Sequence, residues 1–472
     1  SNSIMIIDEA HNITMKNNKS ISKKIKIKKT LKGGSDLNSS NTIDSLDEKL
    51  EDNITSIKDK ERNIENLGKK FPPVLRKVLK IAEDVKLILL TATPMFNRAE
   101  EIIDLVNYLL INDKRPLLKI NDVFKDGDIT KKGEEILKNN INGYVSYLRG
   151  ENPINFPQKL YPLDHYKGKY PNLDIKGLKL NNKINFLKII DCEMSNFQWD
   201  IYKKYFHKNI KDSSFFDTIG LQICNMVFTD NDKYKKEDIK YIENHYGTKG
   251  FKNYMNVSIS GDKKIKIDFL NEKVMEIFKI NNINKYSSKI YKILQGIEKS
   301  KGICFIYSQF KWAGVYVIAI ALELLGYTNY GGVNMISDLN KYKIKKNGKK
   351  YLLITGDSNE DFIKYKKMEH YNKDGNILKV ILGTKAAGEG LNISYVREVH
   401  ILEPWYHLNR LEQVIGRGIR NCSHKDLDVE ERNVTVFLYC VSEPKEKNLE
   451  KRETLDMKLY RLAEEKIEKI GN

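Results

Sequence analysis

From Ser287 to Cys440 short apolar runs recur between amphipathic stretches, and this alternation restricts the fold more than any other feature of the chain. Residues Ser287 to Glu298 have helical spacing, Gly302 to Tyr307 form a continuous apolar run, and 312–326 are helical again. Further runs at Tyr351–Ile354, Ile377–Leu382, Glu398–Leu402 and Val434–Cys440 are interspersed with helical stretches at 359–370 and Leu408–Gly416. Runs this apolar suit strands covered on both faces, and strands alternating with helices build a doubly wound parallel sheet. The expected fold class is α/β.

The start of the chain has the same grammar. An apolar run, Ile4-Met5-Ile6-Ile7, ends in Asp8-Glu9-Ala10-His11. An Asp at the carboxyl edge of a parallel strand can hold the water shell of a metal ion, and a following Glu can orient or deprotonate a water attacking a γ-phosphate. Asp8 and Glu9 are therefore candidate catalytic and Mg2+-binding residues, Asp8 also being a candidate ATP contact. A helix from Pro72 to about Ala82 leads to a strand, Val85–Leu90, which runs directly into Thr91-Ala92-Thr93. Ala99 to Leu110 carries the apolar stripe of a core-packed helix.

Between these pieces, residues 16–70 interrupt the pattern. Eight lysines and no acid fall between Lys16 and Lys32, then comes a Gly-Gly-Ser stretch and an acidic, Ser/Asn-rich segment. So few large apolar residues cannot offset the entropy of ordering, and a mobile insertion is expected. Residues 154–285 show strand-like character near Phe186–Ile190 and a helix at Asn196–Tyr205 but little other periodicity, and 445–470 read as a charged helix packed on the outside.

Composition excludes some classes and favours others. With 81 Lys and Arg against 63 Asp and Glu, the net charge of +18 points to a polyanionic partner, of which nucleic acid is the commonest. The longest apolar stretch, Trp312 to Leu325, is interrupted by Glu323 and is shorter than the roughly 20 residues needed to cross a bilayer. No membrane association is expected. Five scattered cysteines without a C-x-x-C pair read as reduced thiols; Cys422 and His424 lack a second ligand pair nearby.

Five segments, taken in order, carry a family resemblance: Asp-Glu-Ala-His at 8–11, Thr-Ala-Thr-Pro-Met-Phe-Asn at 91–97, Ile-Tyr-Ser-Gln-Phe at 306–310, Gly-Thr-Lys-Ala-Ala-Gly-Glu-Gly-Leu-Asn at 383–392, and Gln413 to Arg420. They resemble motifs II to VI of Swi/Snf-type superfamily 2 ATPases. Tyr144 to Pro157 and the Pro404-Trp405 step are most similar to the helicase-like transcription ATPases of large cytoplasmic DNA viruses.

The resemblance implies two RecA-like parallel-sheet lobes, the first incomplete, with helical insertions. Residues 1–150 would be the carboxyl-terminal part of the first lobe, 151–286 a lobe-crossing and insertion region, 287–444 the second lobe, and 445–472 a C-terminal helix. Arg417 and Arg420, three apart on one helix face, would be arginine fingers reaching the γ-phosphate, and Gln413 would approach the nucleotide or the attacking water. His11, Thr91 and Thr93 would couple nucleotide state to lobe position. Gly388 and Gly390 let the backbone pass close to nucleotide, while Ser308, Gln309, Thr384 and Lys385 would contact nucleic-acid phosphates. For Trp312 and Trp405, core packing is expected over base stacking.

The implied function is that of a nucleic-acid-dependent ATPase translocating on duplex DNA, using ATP and Mg2+ and serving viral transcription, in early initiation or transcript release, beside a viral RNA polymerase or transcription factors. Virion and host cytoplasm would be its location if viral, nucleus or cytoplasm otherwise. A cellular chromatin or repair remodeller would share all five motifs. A non-catalytic DNA-binding or assembly protein is the other class, because no segment matches the phosphate loop G-x-x-x-x-G-K-[ST]: Gly68-Lys69, Gly168-Lys169 and Gly348-Lys349 are followed by Lys, Tyr and Lys. The chain begins at Ser1, just before motif II, so an N-terminally truncated, by itself inactive piece of a larger enzyme is expected.

Overall fold

The computed structural model describes residues 3–14, 71–95, 98–147, 155–163, 170–209, 218–228, 244–259, 264–355, 360–385, 391–444 and 451–471. The expected insertion 16–70 and the candidate residues Gly388 and Gly390 lie outside the described residues. The chain divides into two compact units, Ser1–Leu148 with Lys469–Asn472, and Arg149–Glu468.

In the first unit, β1 (Ser3–Ile7) and β2 (Val85–Leu89) pair in parallel, Ser3 opposite Val85 and Ile7 opposite Leu89. Alternation along both strands turns Met5, Ile7, Leu87 and Leu89 onto Leu75, Leu79, Leu105, Tyr108 and Ile111, contributed by the helices at 71–81 and Glu101–Asn112. The opposite face presents Ile4 and Ile6, each more than 60% exposed, and Ile88. A short hairpin, β3 (Phe124–Lys125) with β4 (Asp128–Ile129), precedes helix Lys131–Ile141, whose Thr130 cap accepts the Gly133 amide at 2.9 Å.

The second unit is built on an eight-stranded, all-parallel sheet. Its strands are β5 (Gln158–Leu160), β6 (Ile189–Glu193), β9 (Ile303–Tyr307), β10 (Thr328–Asn329), β11 (Lys350–Ile354), β12 (Val380–Gly383), β13 (Val396–Ile401) and β14 (Asn433–Ser442), with the antiparallel hairpin β7 (Met255–Ile259) and β8 (Ile265–Phe269) outside it. The order is β10-β11-β12-β9-β13-β14-β5, and β6 pairs with the later residues of β14. Strand β9 is central and every residue of it is buried. Cys304 and Ile306 face one core layer, Ile303, Phe305 and Tyr307 the other, so both faces are covered. Each large side chain enclosed in this way stabilises the fold by about 1.5–3 kcal/mol.

Three expectations change. The helix expected over 312–326 opens with a wide turn, Lys311–Val315, and becomes α-helical only over Tyr316–Leu324. The break falls at Gly314 (φ −152°, ψ −107°), where a Cβ would lie 2.1 Å from the Ser308 hydroxyl; only glycine fits. Glu323, in the same apolar helix, is wholly buried and accepts the Met335 and Ile336 amides at 2.7 Å each, and burial pushes its carboxyl up to about 7.

The C-terminal helix, Leu455–Gly471, is not an outer layer, because Asp456, Leu459, Tyr460 and Ala463 are fully enclosed. Strands β5 and β6 come from the stretch expected to be lobe-crossing and insertion, yet they extend the sheet; the edge of β14 supplies backbone partners that no local pattern reveals.

Candidate functional site

In the first unit the candidate residues gather at the carboxyl ends of β1 and β2. Ladder pairing continues past the strands, Leu90 donating to the Ile7 carbonyl at 2.8 Å and Ala10 to the Leu90 carbonyl at 2.9 Å. Between them Glu9 adopts a left-handed conformation (φ 50°, ψ 47°), uncommon for a residue with a Cβ, and its amide donates to Asp8 Oδ1 at 2.9 Å. This kink leaves both carboxylates exposed at the strand end while Ala10–Ile13 turn inward as a 3-10 helix.

His11 is thereby buried, with Nδ1 3.0 Å from the Thr91 hydroxyl and 3.4 Å from that of Thr93. The Thr93 amide donates to Thr91 Oγ1 at 3.1 Å, closing the turn, and the Glu9 carboxylate lies 3.3 Å from His11 Nδ1. Burial lowers the imidazole pKa against the opposing pull of Glu9 and Glu101, which favours a neutral ring that both accepts and donates. His11, Thr91 and Thr93 thus form one hydrogen-bonded group beside Asp8 and Glu9.

In the second unit, helix Leu408–Ile415 buries Leu408, Leu411, Val414 and Ile415 and exposes Gln413. Arg417 and Arg420 do not share its face, because the helix ends at Gly416, Arg417 follows in a turn and Arg420 in irregular chain; Gly418 packs so closely on Val396 and Val399 of β13 that a Cβ would lie 3.0 Å from each. Both arginines are half-buried, and Arg420 Nε donates to the Gly416 carbonyl at 3.1 Å.

The four expected phosphate contacts separate. Ser308 is wholly buried, its hydroxyl donating to the Glu403 carboxylate and accepting the Phe310 amide at 3.1 Å. It cannot reach a nucleic acid, because the central strand delivers it into the core. Thr384 is also buried, with its amide on the Ile354 carbonyl at 3.1 Å. Gln309 is half-buried and Lys385 exposed, so these two remain at the surface.

Sequence reasoning missed Glu403 and its partners. Its carboxylate accepts from Ser308, from the Gln309 amide at 3.1 Å and from the Asn225 side-chain amide, whose oxygen in turn accepts Lys289 Nζ at 3.1 Å. Burial lifts the Glu403 carboxyl to about 7. The available signal is an acid directly after Val399–Leu402, a run apolar except for His400, a pattern close to the one at Asp8. Trp312 packs edge-on against Phe251 and Tyr316, and Trp405 lies under the Arg410 guanidinium at 3.9 Å while donating to His407 at 3.2 Å. Both tryptophans are partly buried against the core.

Residues 327–422 match the family model of the helicase conserved C-terminal domain. They span β10 to β13, the helix Leu408–Ile415 and both arginines. A proposed ATP-dependent RNA helicase of Acanthamoeba polyphaga mimivirus is 28% identical over 394 residues, 81% of this chain. Over most of its length the chain is similar to viral superfamily 2 helicase-like proteins. A proposed helicase of Invertebrate iridescent virus 3 is 28% identical to the helicase-like chain over 82% of its length, and a termination factor NPH-I homologue of African swine fever virus is 32% identical over 36%. The chain spans 58% of the mimivirus relative, 34% of the iridescent virus protein and 28% of the termination factor homologue. The C-terminal part of the Fun30 ATPase domain superimposes with a TM-score of 0.33 and 17% identity, covering 58% of this chain and 88% of its own, a value that leaves the fold to be argued from the parallel sheet itself.

Proposed function

We propose that this chain belongs to a nucleic-acid-dependent ATPase of the Swi/Snf type that translocates along duplex DNA in viral transcription, at early initiation or transcript release. The observation that carries this reading is the hydrogen-bonded group of His11, Thr91 and Thr93 directly beside the exposed carboxylates of Asp8 and Glu9. It connects a site suited to a nucleotide's metal ion with the end of the neighbouring strand.

Asp8 and Glu9 offer hard oxygen donors at a solvent-open strand end, which fits Mg2+ retaining most of its waters. When bound there, Mg2+ neutralises charge on the transferred phosphoryl group. Glu9 orients the attacking water and draws its proton, and His11 passes the state of that pair to Thr91 and Thr93. Gln413 positions the water or nucleotide; Arg417 and Arg420 stabilise charge developing on the γ-phosphoryl oxygens. Gly388 and Gly390 allow close backbone approach to the nucleotide, and Lys385 with Gln309 grips backbone phosphates. The net charge of +18 supports a polyanionic track.

The name of the African swine fever virus relative, a termination factor homologue, supports a transcriptional role with a viral RNA polymerase or transcription factors, in virion and host cytoplasm. The mimivirus relative's name favours RNA as the alternative track. ATP turnover by the 472-residue chain and by the full product of its gene, each with duplex DNA, RNA or neither, tests the reading. Turnover stimulated by duplex DNA in a product carrying a phosphate loop is expected, with none from the 472 residues alone. Stimulation by RNA only would reassign the track, and no nucleotide hydrolysis in any product would leave a binding or assembly protein.

A further inference from the structure

Three side chains with the donor chemistry of a transition-metal site meet on the central strands of the second unit. Cys304 on β9 pairs in register with Glu398 on β13, and His400, two residues along β13, points to the same face of the sheet. Cys304 and His400 are wholly buried and the Glu398 side chain is 16% exposed. The three donor atoms lie within 4.8 Å of one another, Cys304 Sγ 3.6 Å and His400 Nε2 3.0 Å from Glu398 Oε2.

These separations are on the scale of the edges of a tetrahedral site. Bonds of about 2.0 Å to nitrogen and oxygen and about 2.3 Å to sulfur place neighbouring ligand atoms roughly 3.3–3.7 Å apart. The second requirement is also present: His400 Nδ1 lies 2.9 Å from the Tyr439 hydroxyl, which fixes the ring and directs Nε2 toward Glu398 and Cys304. Phe437 stacks on the imidazole at 4.6 Å and closes the site on that side. The Ser300 hydroxyl donates to the Gly302 carbonyl at 3.3 Å, and the nearby Lys379 ammonium donates to the Ser300 carbonyl at 2.6 Å.

We propose that Cys304, Glu398 and His400 bind a structural divalent transition metal, with Zn2+ the best match. Thiolate, carboxylate and neutral imidazole carry two negative charges together, so a divalent cation leaves the buried cluster neutral, whereas burying either side alone is costly. On binding, the thiol proton and the proton shared between His400 and Glu398 leave to solvent, and three metal–ligand bonds replace two hydrogen bonds. A fourth position stays for a water. Cysteine sulfur selects zinc over magnesium or calcium, so this site is chemically distinct from Asp8 and Glu9. The bound ion would clamp β9 to β13, the strands that lead into Ser308 and Glu403.

A competing account is a buried His400–Glu398 pair beside an unrelated core thiol. Co2+ titration of the chelator-treated 472-residue chain separates the two. One Co2+ per chain is expected, with thiolate charge-transfer absorption in the near ultraviolet and visible bands typical of tetrahedral cobalt, both abolished by Zn2+. Cys304→Ser should remove the charge-transfer band, His400→Gln should abolish tight binding, and Tyr439→Phe, which keeps the packing, should weaken affinity about 10-fold or more. Absence of a thiolate band in the folded wild-type protein, checked by circular dichroism, overturns the proposal without recourse to any variant. So does cobalt binding that persists unchanged in Tyr439→Phe and Cys304→Ser.

Discussion

The ammonium of Lys289 lies 2.6 Å from the carboxylate of Asp456, and neither side chain has any exposed surface. The pair joins the C-terminal helix to helix Ser288–Ile297. Lys289 also donates to the Leu402 carbonyl at 2.8 Å and Asp456 accepts the Val441 amide at 3.0 Å, so the pair holds the ends of β13 and β14 together. Burial works against the lysine's charge, but Asp456 holds its pKa above the ordinary value.

Removing one member strands the other. Asp456→Asn or Lys289→Met should each destabilise the second unit by about 3–5 kcal/mol, because the remaining charge is left uncompensated in the core. Replacing both with apolar residues of similar volume should recover much of the loss. Urea unfolding of the three variants, followed by tryptophan fluorescence, measures the difference, and additive losses in the double variant would remove the pair as the cause.

Glu403 predicts a pH dependence. Its folded carboxyl sits near 7, above the ordinary value of 4.5, so its contribution to stability is fully present below pH 4.5 and is lost as pH rises through 7. The loss by pH 8 is roughly 3 kcal/mol at most. Glu403→Gln should reduce this slope between pH 5 and 8, leaving the part due to Glu323, whose carboxyl burial also pushes up to about 7. His424, held down to about 4 by burial, acts in the opposite sense, its contribution lost as pH falls through 4, and it is common to both proteins, so the difference between them isolates Glu403. Parallel pH profiles for wild type and Glu403→Gln would show that the carboxyl titrates normally.

In the full gene product, Arg420→Ala should lower kcat for ATP by about 1,000-fold or more while nucleotide affinity changes little, the pattern of a group that acts in the transition state. Arg420→Lys should not restore turnover, since an ammonium on a flexible stem lacks the planar fork. Normal hydrolysis combined with lost DNA binding would move this arginine from nucleotide to nucleic acid.

Lys385→Ala should weaken binding to duplex DNA equally across sequences and reduce the slope of log affinity against log salt by about one. Binding isotherms at several salt concentrations give the slope. Ser308→Ala serves as the contrast, because its buried hydroxyl should alter stability and leave the salt slope unchanged.

Local pattern determined the strands and the grouping at the first motif. Met5, Ile7, Leu87 and Leu89 alternate onto a core, and the acid pair and threonines that follow the two strands come together once those strands pair side by side. Periodicity is written into neighbouring residues, so it is legible without a fold. The inward turn of Ser308, the departure of Arg417 and Arg420 from the helix, the burial of the C-terminal helix and the meeting of Cys304 with His400 were decided only by tertiary structure. Each depends on which distant backbone lies alongside: β9 beside β13, Gly418 against Val396, Asp456 against Lys289. Such contacts follow from strand order and packing across the whole sheet, and no window of adjacent residues contains that information.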